Sequence, residues 1–544
     1  MNAGQEPKEL LVSLEDSRAI DTEAREKWGF NTFSLIEAAG RGCAMAFTAA
    51  FPDFFCGAKK SEKKRVSIAV GTGNNGADAM VMLRHWVVSG MIDAASSAVV
   101  LSRMPKRGES GPWVELLSSL KALKVPALLW DGDIGEAAGR ASDDIFAHSD
   151  IIFDGITGTG LMGPLKGSSL EMVLAINAHR SAAVVKKPLV VSVDLPSGLS
   201  DQWKTGMPVI EADITLSIEP QKQCIYSPAA RLCAGIILPV GGIFPKEIVA
   251  KYEGAGLTDW ECVKNKVSKI PLHAHKNSRG TVEIRAGSAG ATGAAIIAAR
   301  GAQAAGAGLI RLVADDDIYP ILAAGAGGVM VAPASAELNA FEGRFKPDAI
   351  LLGPGWGKAK NRAEVFEKAL SLEKSGTPLI LDADAIDLVK DKSFHGSAIL
   401  TPHPVEFSRC AGIERDELLG NPVPLLLKYA KEKKAFVLYK GNVMIIAAPD
   451  GRVGVVDGML PGLAAGGSGD LLAGFCAAIA ARMIQEKKAS GDSKDFSAFT
   501  CAAAAAALLI ASGKCLKNRF TDPLELADKA ADLAGLAWLN SGEL

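Results

Sequence analysis

Two glycine-rich turns in this sequence carry residue types suited to phosphate. The first, Gly71-Thr72-Gly73-Asn74-Asn75-Gly76-Ala77-Asp78, follows the apolar run Val66–Val70 and leads into the helical stretch Ala79–His85. Glycines let such a turn present consecutive backbone N–H groups, and the helix N-terminus behind it adds positive potential. A tight strand-to-helix connection is the plainer alternative for this turn taken alone. The second, Ala465-Gly466-Gly467-Ser468-Gly469-Asp470, opens onto the apolar Leu471-Leu472-Ala473-Gly474-Phe475. Four small residues there put backbone donors around a transferring phosphoryl group, with the Asp470 carboxylate beside the hydroxyl that attacks it. A helix entry with aspartate as a terminal charge would leave Lys440-Gly441-Asn442 upstream without a purpose.

Other polar groups also stand at the ends of apolar runs. Asp154–Leu161, Val193-Asp194-Leu195-Pro196-Ser197-Gly198 and Ile218–Lys222 do so in the first half; Gly353-Pro354-Gly355, Asp382-Ala383-Asp384 and Thr401-Pro402-His403-Pro404 do so in the second. The Asn75 amide, Asp154 carboxylate and Ser197 hydroxyl offer the oxygen ligands that hard cations take.

The elements that must position these groups are short apolar strands alternating with helical stretches. Val66–Val70, Ala98–Leu101, Asp150–Phe153 and Leu189–Val193 are expected strands of the first half. Thr281–Arg285, Leu309–Val313, Ala349–Leu352, Leu379–Leu381, Ala398–Leu400 and Ala435–Leu438 are those of the second. Runs of this kind suit an α/β fold with a parallel sheet covered on both faces, in which ligands bind at the carboxyl ends of the strands. The segment Ser17–Phe47 has helical spacing and predicts one or two helices ahead of the first strand. The alternation lapses around Ala250–His275, so the expected division is a domain over 10–248, a linker over 249–270 and a domain over 271–544. No repeat in motif order relates the halves, which points to fusion and not duplication.

Composition sets the outer limits. At 544 residues the chain exceeds one hydrophobic core, given ~100–200 residues per domain. With 48% hydrophobic and 22% charged residues it has the make-up of an ordinary folded protein. A formal charge of −2, with Lys59–Arg65 the one dense basic run, argues against nucleic acid as a partner. Nine cysteines without a Cys-x-x-Cys pair indicate neither a disulfide framework nor a zinc site, so a cytoplasmic setting is expected. No apolar run is long enough to predict a membrane span, and no membrane partner is expected.

Over residues 10–245, Gly73-Asn74-Asn75-Gly76-x-Asp78, Asp154–Leu161 and Val193–Gly198 resemble the NAD(P)H-hydrate epimerase family, the YjeF N-terminal domain. The resemblance implies a Rossmann-like, doubly wound sheet that inverts the R and S epimers of NAD(P)H hydrate. It implies that Asn74, Asn75, Gly76, Ala77, Asp78, Gly158, Thr159, Gly160, Leu161, Met162, Gly163, Pro164 and Asp194 contact the hydrated dinucleotide. Asn75, Asp154 and Ser197 would hold a potassium ion (K+). One well-placed acid/base could carry the inversion, with Asp154 the first candidate by position and Lys222 the second. Ala77 replaces a glycine usual in that family, and its methyl is expected near a phosphate.

Over residues 265–540, Gly287-Ser288, Thr292-Gly293-Ala294-Ala295, Gly353-Pro354-Gly355, Thr401–Pro404, Lys440-Gly441 and Gly467-Ser468-Gly469-Asp470 resemble the ribokinase-like superfamily. They are closest to its ADP-dependent NAD(P)H-hydrate dehydratase branch, the YjeF C-terminal domain. This implies that Ala294, Gly355, His403 and Asp470 line the hydrated-nicotinamide site, and that Lys440, Gly441, Asn442, Val443, Met444 and Gly469 line the ADP site. Mg2+ would neutralise the phosphates and Asp470 would be the base. The implied whole is a bifunctional repair enzyme acting on NAD(P)H hydrate with ADP, expected as a homo-oligomer. The competing readings are a vitamin-precursor kinase fused to a regulatory fold, and a first domain that binds without catalysing.

Overall fold

The computed structural model describes residues 9–55, 64–130, 141–182, 187–337, 346–359, 361–490, 496–517 and 519–539. Lys59, Lys60 and Lys63 of the basic run lie outside them. Two compact units divide the chain, one spanning Leu10–Gly254 and the other Ala255–Leu544.

The first unit is built on seven parallel strands. Their order across the sheet is Ala127–Leu129, Ser97–Leu101, Val66–Val70, Ile151–Gly155, Leu189–Val193, Ile214–Ile218, Ile236–Val240. Val66–Val70 and Ile151–Gly155 lie side by side, with Val66 opposite Ile151 and Val70 opposite Gly155. From that pair the chain winds outward in both directions, which splays the two following loops apart and opens a crevice at the strand ends. Helices Thr32–Ala50 and Asn74–Val88 cover one face. There Phe47, Trp86 and Phe153 meet at ring centroid distances of 5.1 to 5.7 Å. Gly40 lets the two helices touch, because a Cβ there would meet the Asp78 carbonyl oxygen at 2.5 Å. On the opposite face Phe146, Met172, Val173 and Ile176 pack against Ile152 and Val190.

Ten strands form the sheet of the second unit, in the order Met330–Pro333, Leu309–Ala314, Thr281–Arg285, Ala349–Leu352, Leu379–Leu381, Ala398–Leu400, Phe436–Tyr439, Val443–Ala447, Val453–Asp457, Ala255–Leu257. All neighbours are parallel up to Phe436–Tyr439, after which two antiparallel pairings follow. Here the winding reverses between Thr281–Arg285 and Ala349–Leu352. The expected linker is not a linker throughout. Ala255–Leu257 pairs with Val453–Asp457, and Trp260 and Val263 are core residues, so the second unit begins sixteen residues ahead of position 271.

Helices Thr292–Ala304, Ser468–Ser490, Ala498–Cys515 and Pro523–Trp538 pack on one face of this sheet. Small residues decide how closely they approach. A Cβ on Gly301 would stand 2.5 Å from the Leu471 carbonyl oxygen, and one on Gly474 would collide with that of Ala298. Ala498–Cys515 has the length and apolarity of a membrane span, yet 83% of it is buried within the unit. It is the central core helix, longer than the apolar run Cys501–Ala511 by which sequence would judge it.

Candidate active sites

In the first unit a cavity of about 690 Å³ opens at the crevice between the two central strands. Two strand-end turns interlock to form its floor. A Cβ on Gly71 would collide with the Ile156 carbonyl oxygen, and one on Gly155 would stand 2.8 Å from the Ala79 Cβ and 3.0 Å from the Asn75 oxygen. Glycine at both positions therefore brings the start of helix Asn74–Val88 against the loop that follows Asp154.

Asn74, Asn75, Asp78, Gly158, Thr159, Gly160, Leu161, Met162, Asp194 and Lys222 line this cavity. Gly76 and Ala77 do not. The Ala77 side chain is buried among the helix-face apolar residues, so its methyl points away from any phosphate. Gly163 and Pro164 line a separate cavity of about 420 Å³ together with Gly198 and Ser200.

Asp154 also departs from expectation. It is fully buried beneath the cavity, and its carboxylate accepts four hydrogen bonds: from Ser192 Oγ at 2.8 Å, Ser197 N at 2.9 Å, Ser197 Oγ at 2.5 Å and Ile156 N at 3.2 Å. Burial raises its pKa and the hydrogen bonds oppose that rise. A carboxylate occupied in this way holds the Ser192, Ser197 and Ile156 segments together, and it is not among the residues lining the cavity. The better-placed group is the buried ion pair of Lys222 with Asp194, in which Lys222 Nζ also donates to the Ile218 carbonyl at 2.8 Å. Asp194 adopts a left-handed backbone, φ 69°, a conformation that non-glycine residues keep only under constraint.

The expected K+ ligands fit a cation in part. Asn75 Nδ2 donates to the Thr157 carbonyl at 2.8 Å, while its Oδ1 is enclosed without a hydrogen-bond partner. An orphaned amide oxygen on a side chain whose Nδ2 bonds the Thr157 carbonyl, which the Ser197 hydroxyl also bonds, is oxygen-donor chemistry of the kind a monovalent ion takes. Asp154 would support these ligands from below. A helix was expected within Ser17–Phe47, but not that helix Leu14–Trp28 lines the cavity with Arg18, whose guanidinium donates to the Thr159 carbonyl at 2.5 Å. No local motif marks this helix; its amphipathic spacing signals packing alone.

The second unit gathers its charges around Lys440. The Lys440 ammonium bonds Asp382 Oδ1 at 2.6 Å and stands 3.9 Å from Glu406 Oε2. It also lies over Gly469, where a Cβ would approach Nζ to 3.3 Å. Thr401 Oγ1 donates to Asp382 at 2.7 Å, and the Pro402 carbonyl accepts from Lys440 N at 2.9 Å. Asp470 sits in the first turn of helix Ser468–Ser490, entered through Gly467 at φ 94°. Burial and the repulsion of Asp382, offset by Lys440 and reinforced by Glu406, push its carboxyl up to about 7.

Ala294 and Gly355 lie together, since a Cβ on Gly355 would stand 2.9 Å from that of Ala294. Ser288 Oγ fixes the same loop by donating to the Gly355 carbonyl at 2.9 Å. His403 acts as a helix cap: its Nδ1 accepts from Val405 N at 3.1 Å and Glu406 N at 3.4 Å, which orients Glu406 toward Lys440. Gly441 and Asn442 form the turn after Lys440, where the Asn442 carbonyl accepts from Gly458 N at 3.0 Å. Val443 and Met444 are buried strand residues, so their side chains pack the sheet and only backbone could face a nucleotide. Asp382 and Glu406, by contrast, were not among the expected site residues. Their signal was position alone, a carboxylate at a strand end and another just past His403.

Among the described residues no group of three or more His, Cys, Asp or Glu side chains is placed to hold a metal ion. The Lys440 ammonium sits between the carboxylates, so this site suits a Mg2+ carried chiefly by phosphate oxygens, as that ion prefers.

Comparison with known proteins agrees with the division into units. The model for the YjeF-related protein N-terminus matches residues 32–224, and that for NAD(P)H-hydrate dehydratase matches residues 282–529. The bifunctional NAD(P)H-hydrate repair enzyme Nnr of Moorella thermoacetica is 29% identical over 495 residues, covering 87% of this chain and 88% of that protein. Its counterpart in Salinibacter ruber is 29% identical over 510 residues, covering 87% and 88%. The ADP/ATP-dependent NAD(P)H-hydrate dehydratase of Bacillus subtilis, co-crystallised with ATP and Mg2+, superposes with a TM-score of 0.43 at 24% identity, over 51% of this chain and 96% of that one.

Proposed function

Since this chain belongs to the YjeF-related N-terminal family in its first unit and to the NAD(P)H-hydrate dehydratase family in its second, we propose that it is a bifunctional NAD(P)H-hydrate repair enzyme whose two sites act in series. The first unit interconverts the R and S epimers; the second dehydrates the S epimer to NAD(P)H. Fusion then has a chemical logic, because the epimer refused by one site is converted to its substrate by the other.

Hydroxide is a poor leaving group and phosphate a good one, so a phosphoryl-transfer site can drive a dehydration. Asp470 takes the proton of the ring hydroxyl, whose oxygen attacks the terminal phosphoryl of ADP and releases AMP. Lys440 and the amides of Gly467–Asp470 stabilise the charge that develops on that phosphoryl. The ring-nitrogen lone pair then expels phosphate as a C=N bond forms, the released phosphate takes a proton from the neighbouring carbon so that the C–H pair restores the ring double bond and the C=N pair returns to nitrogen, and NAD(P)H leaves. Mg2+ bound with the nucleotide would supply charge neutralisation, with Asp382 and Glu406 the carboxylates nearest to assist it. In the first unit Asn75, Ser197 and the Thr157 carbonyl would hold K+, with Asp154 behind them.

The observation that carries the dehydratase reading is Asp470, held at about 7 within reach of Lys440 at a glycine-lined helix entry. A base of that strength is available in its ionised form near neutral pH and strong enough to accept a hydroxyl proton as the phosphoryl transfers. An epimer-resolved assay with ADP and ATP in parallel tests the whole. Recovery of NADH absorbance from the S hydrate, and interconversion of epimers without nucleotide, is the expected result. Phosphorylation of a small alcohol with no recovery of NADH would make the protein a kinase instead.

A further inference from the structure

The cavity of the first unit contains a carboxyl group with no chemical role so far beyond the substrate contact that resemblance implies. Asp78, near the start of helix Asn74–Val88, is only 8% exposed, lines the cavity and has an enclosed Oδ1 without a hydrogen-bond partner. A carboxylate left unpaired in this way is unfavourable, whereas a neutral carboxyl is tolerated and can donate a hydrogen bond to a ligand. The groups facing it agree. Asp21 comes from helix Leu14–Trp28, Cys43 from helix Thr32–Ala50, and Asp194 with Lys222 from two strand ends. Lys222 already bonds Asp194, so the only cation among them is committed elsewhere. Burial first, then the charge of Asp194, raises the Asp78 carboxyl well above the ordinary carboxylate range.

We propose that Asp78 is the proton donor of epimerisation and that Asp194, held by Lys222, is the proton acceptor. This assignment rests on the repair reading of the first unit, and it replaces Asp154 with two groups that line the cavity. Two carboxyls in one site, one buried without a counter-ion and one salt-bridged, form the split pair that acid–base chemistry requires. Asp78 gives its proton to the hydroxyl on the hydrated ring carbon, and the C–O bond breaks as water departs with the bonding electrons. The adjacent ring-nitrogen lone pair closes to a C=N bond. Water then adds to the opposite face, its oxygen pair forming the new C–O bond while the C=N pair returns to nitrogen and its proton passes to Asp194. Transfer of that proton back to Asp78 through water completes an isomerisation that consumes nothing.

The test uses the full-length chain, with R and S hydrates separated chromatographically in the absence of nucleotide. Asp78→Asn is expected to lower interconversion by about a hundredfold or more, while ADP-dependent dehydration of the S epimer proceeds at the wild-type rate and shows that the chain is folded. Because an acid acts only when protonated, wild-type interconversion falls as pH rises through the Asp78 pKa, and the variant lacks that fall. Infrared difference spectra at neutral pH should show a protonated-carboxyl C=O band in wild type that Asp78→Asn removes. Interconversion by Asp78→Asn within threefold of wild type, or a spectrum without that band, overturns the proposal. A wild-type protein that leaves the epimers unchanged would instead remove the epimerase reading beneath it.

Discussion

The two units solve the same problem at different depths. Each has parallel strands whose winding reverses within the sheet, a glycine-rich turn entering a helix, and a largely enclosed lysine among more carboxylates than it can neutralise. In the first unit Lys222 is committed to Asp194 and leaves Asp78 without a counter-ion. In the second, Lys440 bonds Asp382 and faces Glu406 and Asp470. The surplus carboxyl differs between them. Asp78 is buried at the cavity wall and raised well above the ordinary carboxylate range, as suits an acid; Asp470 is half-buried and held at about 7, as suits a base. Both lysines stand near a non-glycine residue in left-handed backbone, Asp194 at φ 69° and Ala383 at φ 45°, which is where constrained geometry concentrates.

This comparison can be broken most sharply at Asp470. Asp470→Asn should lower ADP-dependent recovery of NADH absorbance by about a thousandfold, within the range for losing a positioned base, and leave epimer interconversion as it was. Retained dehydration would show that the two surplus carboxyls are not equivalent devices. Next in size is Lys440→Met, for which a loss of about a hundredfold is expected from the missing phosphate cation. Removing the ammonium also takes away the positive charge that lowers the Asp470 pKa, so the residual rate should reach its plateau at higher pH than in wild type. An unmoved profile would mean that Lys440 does not tune Asp470.

A third expectation concerns pH in the unaltered enzyme. A base must be ionised, so dehydration should rise with pH through about 7 and level off above it, whereas acid-dependent epimerisation should decline on the alkaline side. Stability runs the opposite way from dehydration. Because the folded Asp470 pKa lies above its unfolded value, the folded state gains nothing from ionising this group, and its contribution is most favourable below the unfolded pKa and diminishes as pH rises toward 7. Rate profiles on each separated epimer would check the first statement. The smallest effect is structural. Gly474→Ala inserts a methyl against the Ala298 carbonyl and should destabilise the second unit by about 1–3 kcal/mol, visible by thermal melting, with epimerisation unchanged.

Much of this arrangement was legible in the residues. Val66–Val70 and Thr281–Arg285 read as buried parallel strands because they are short apolar or β-branched runs followed by glycine, and a parallel sheet sends every such loop to one edge. Asn74–Asp78 and Gly467–Asp470 were visible because glycine, small polar residues and aspartate at a helix entry have few uses. Other features were hidden. Helix Leu14–Trp28 brings Arg18 to the cavity across more than a hundred residues of chain, and amphipathic spacing says only that a helix packs. Ala77 was expected beside a phosphate, but helical periodicity turned it one position too far, into the core. Ala255–Val263 read as a linker because Gly254 and Gly256 interrupt the alternation, although Ala255–Leu257 finds a partner strand two hundred residues away.

By itself the sequence determined which groups stand at the strand ends and what chemistry they can perform, since apolar runs, turn glycines and helix entries are local properties. Tertiary structure alone decided the surroundings of each carboxyl. Asp154, Asp78, Asp194 and Asp470 are the same side chain, and what separates a carboxylate saturated with hydrogen bonds from one without a partner, one paired to a lysine and one held at about 7 is burial and the charges brought near it from distant parts of the chain.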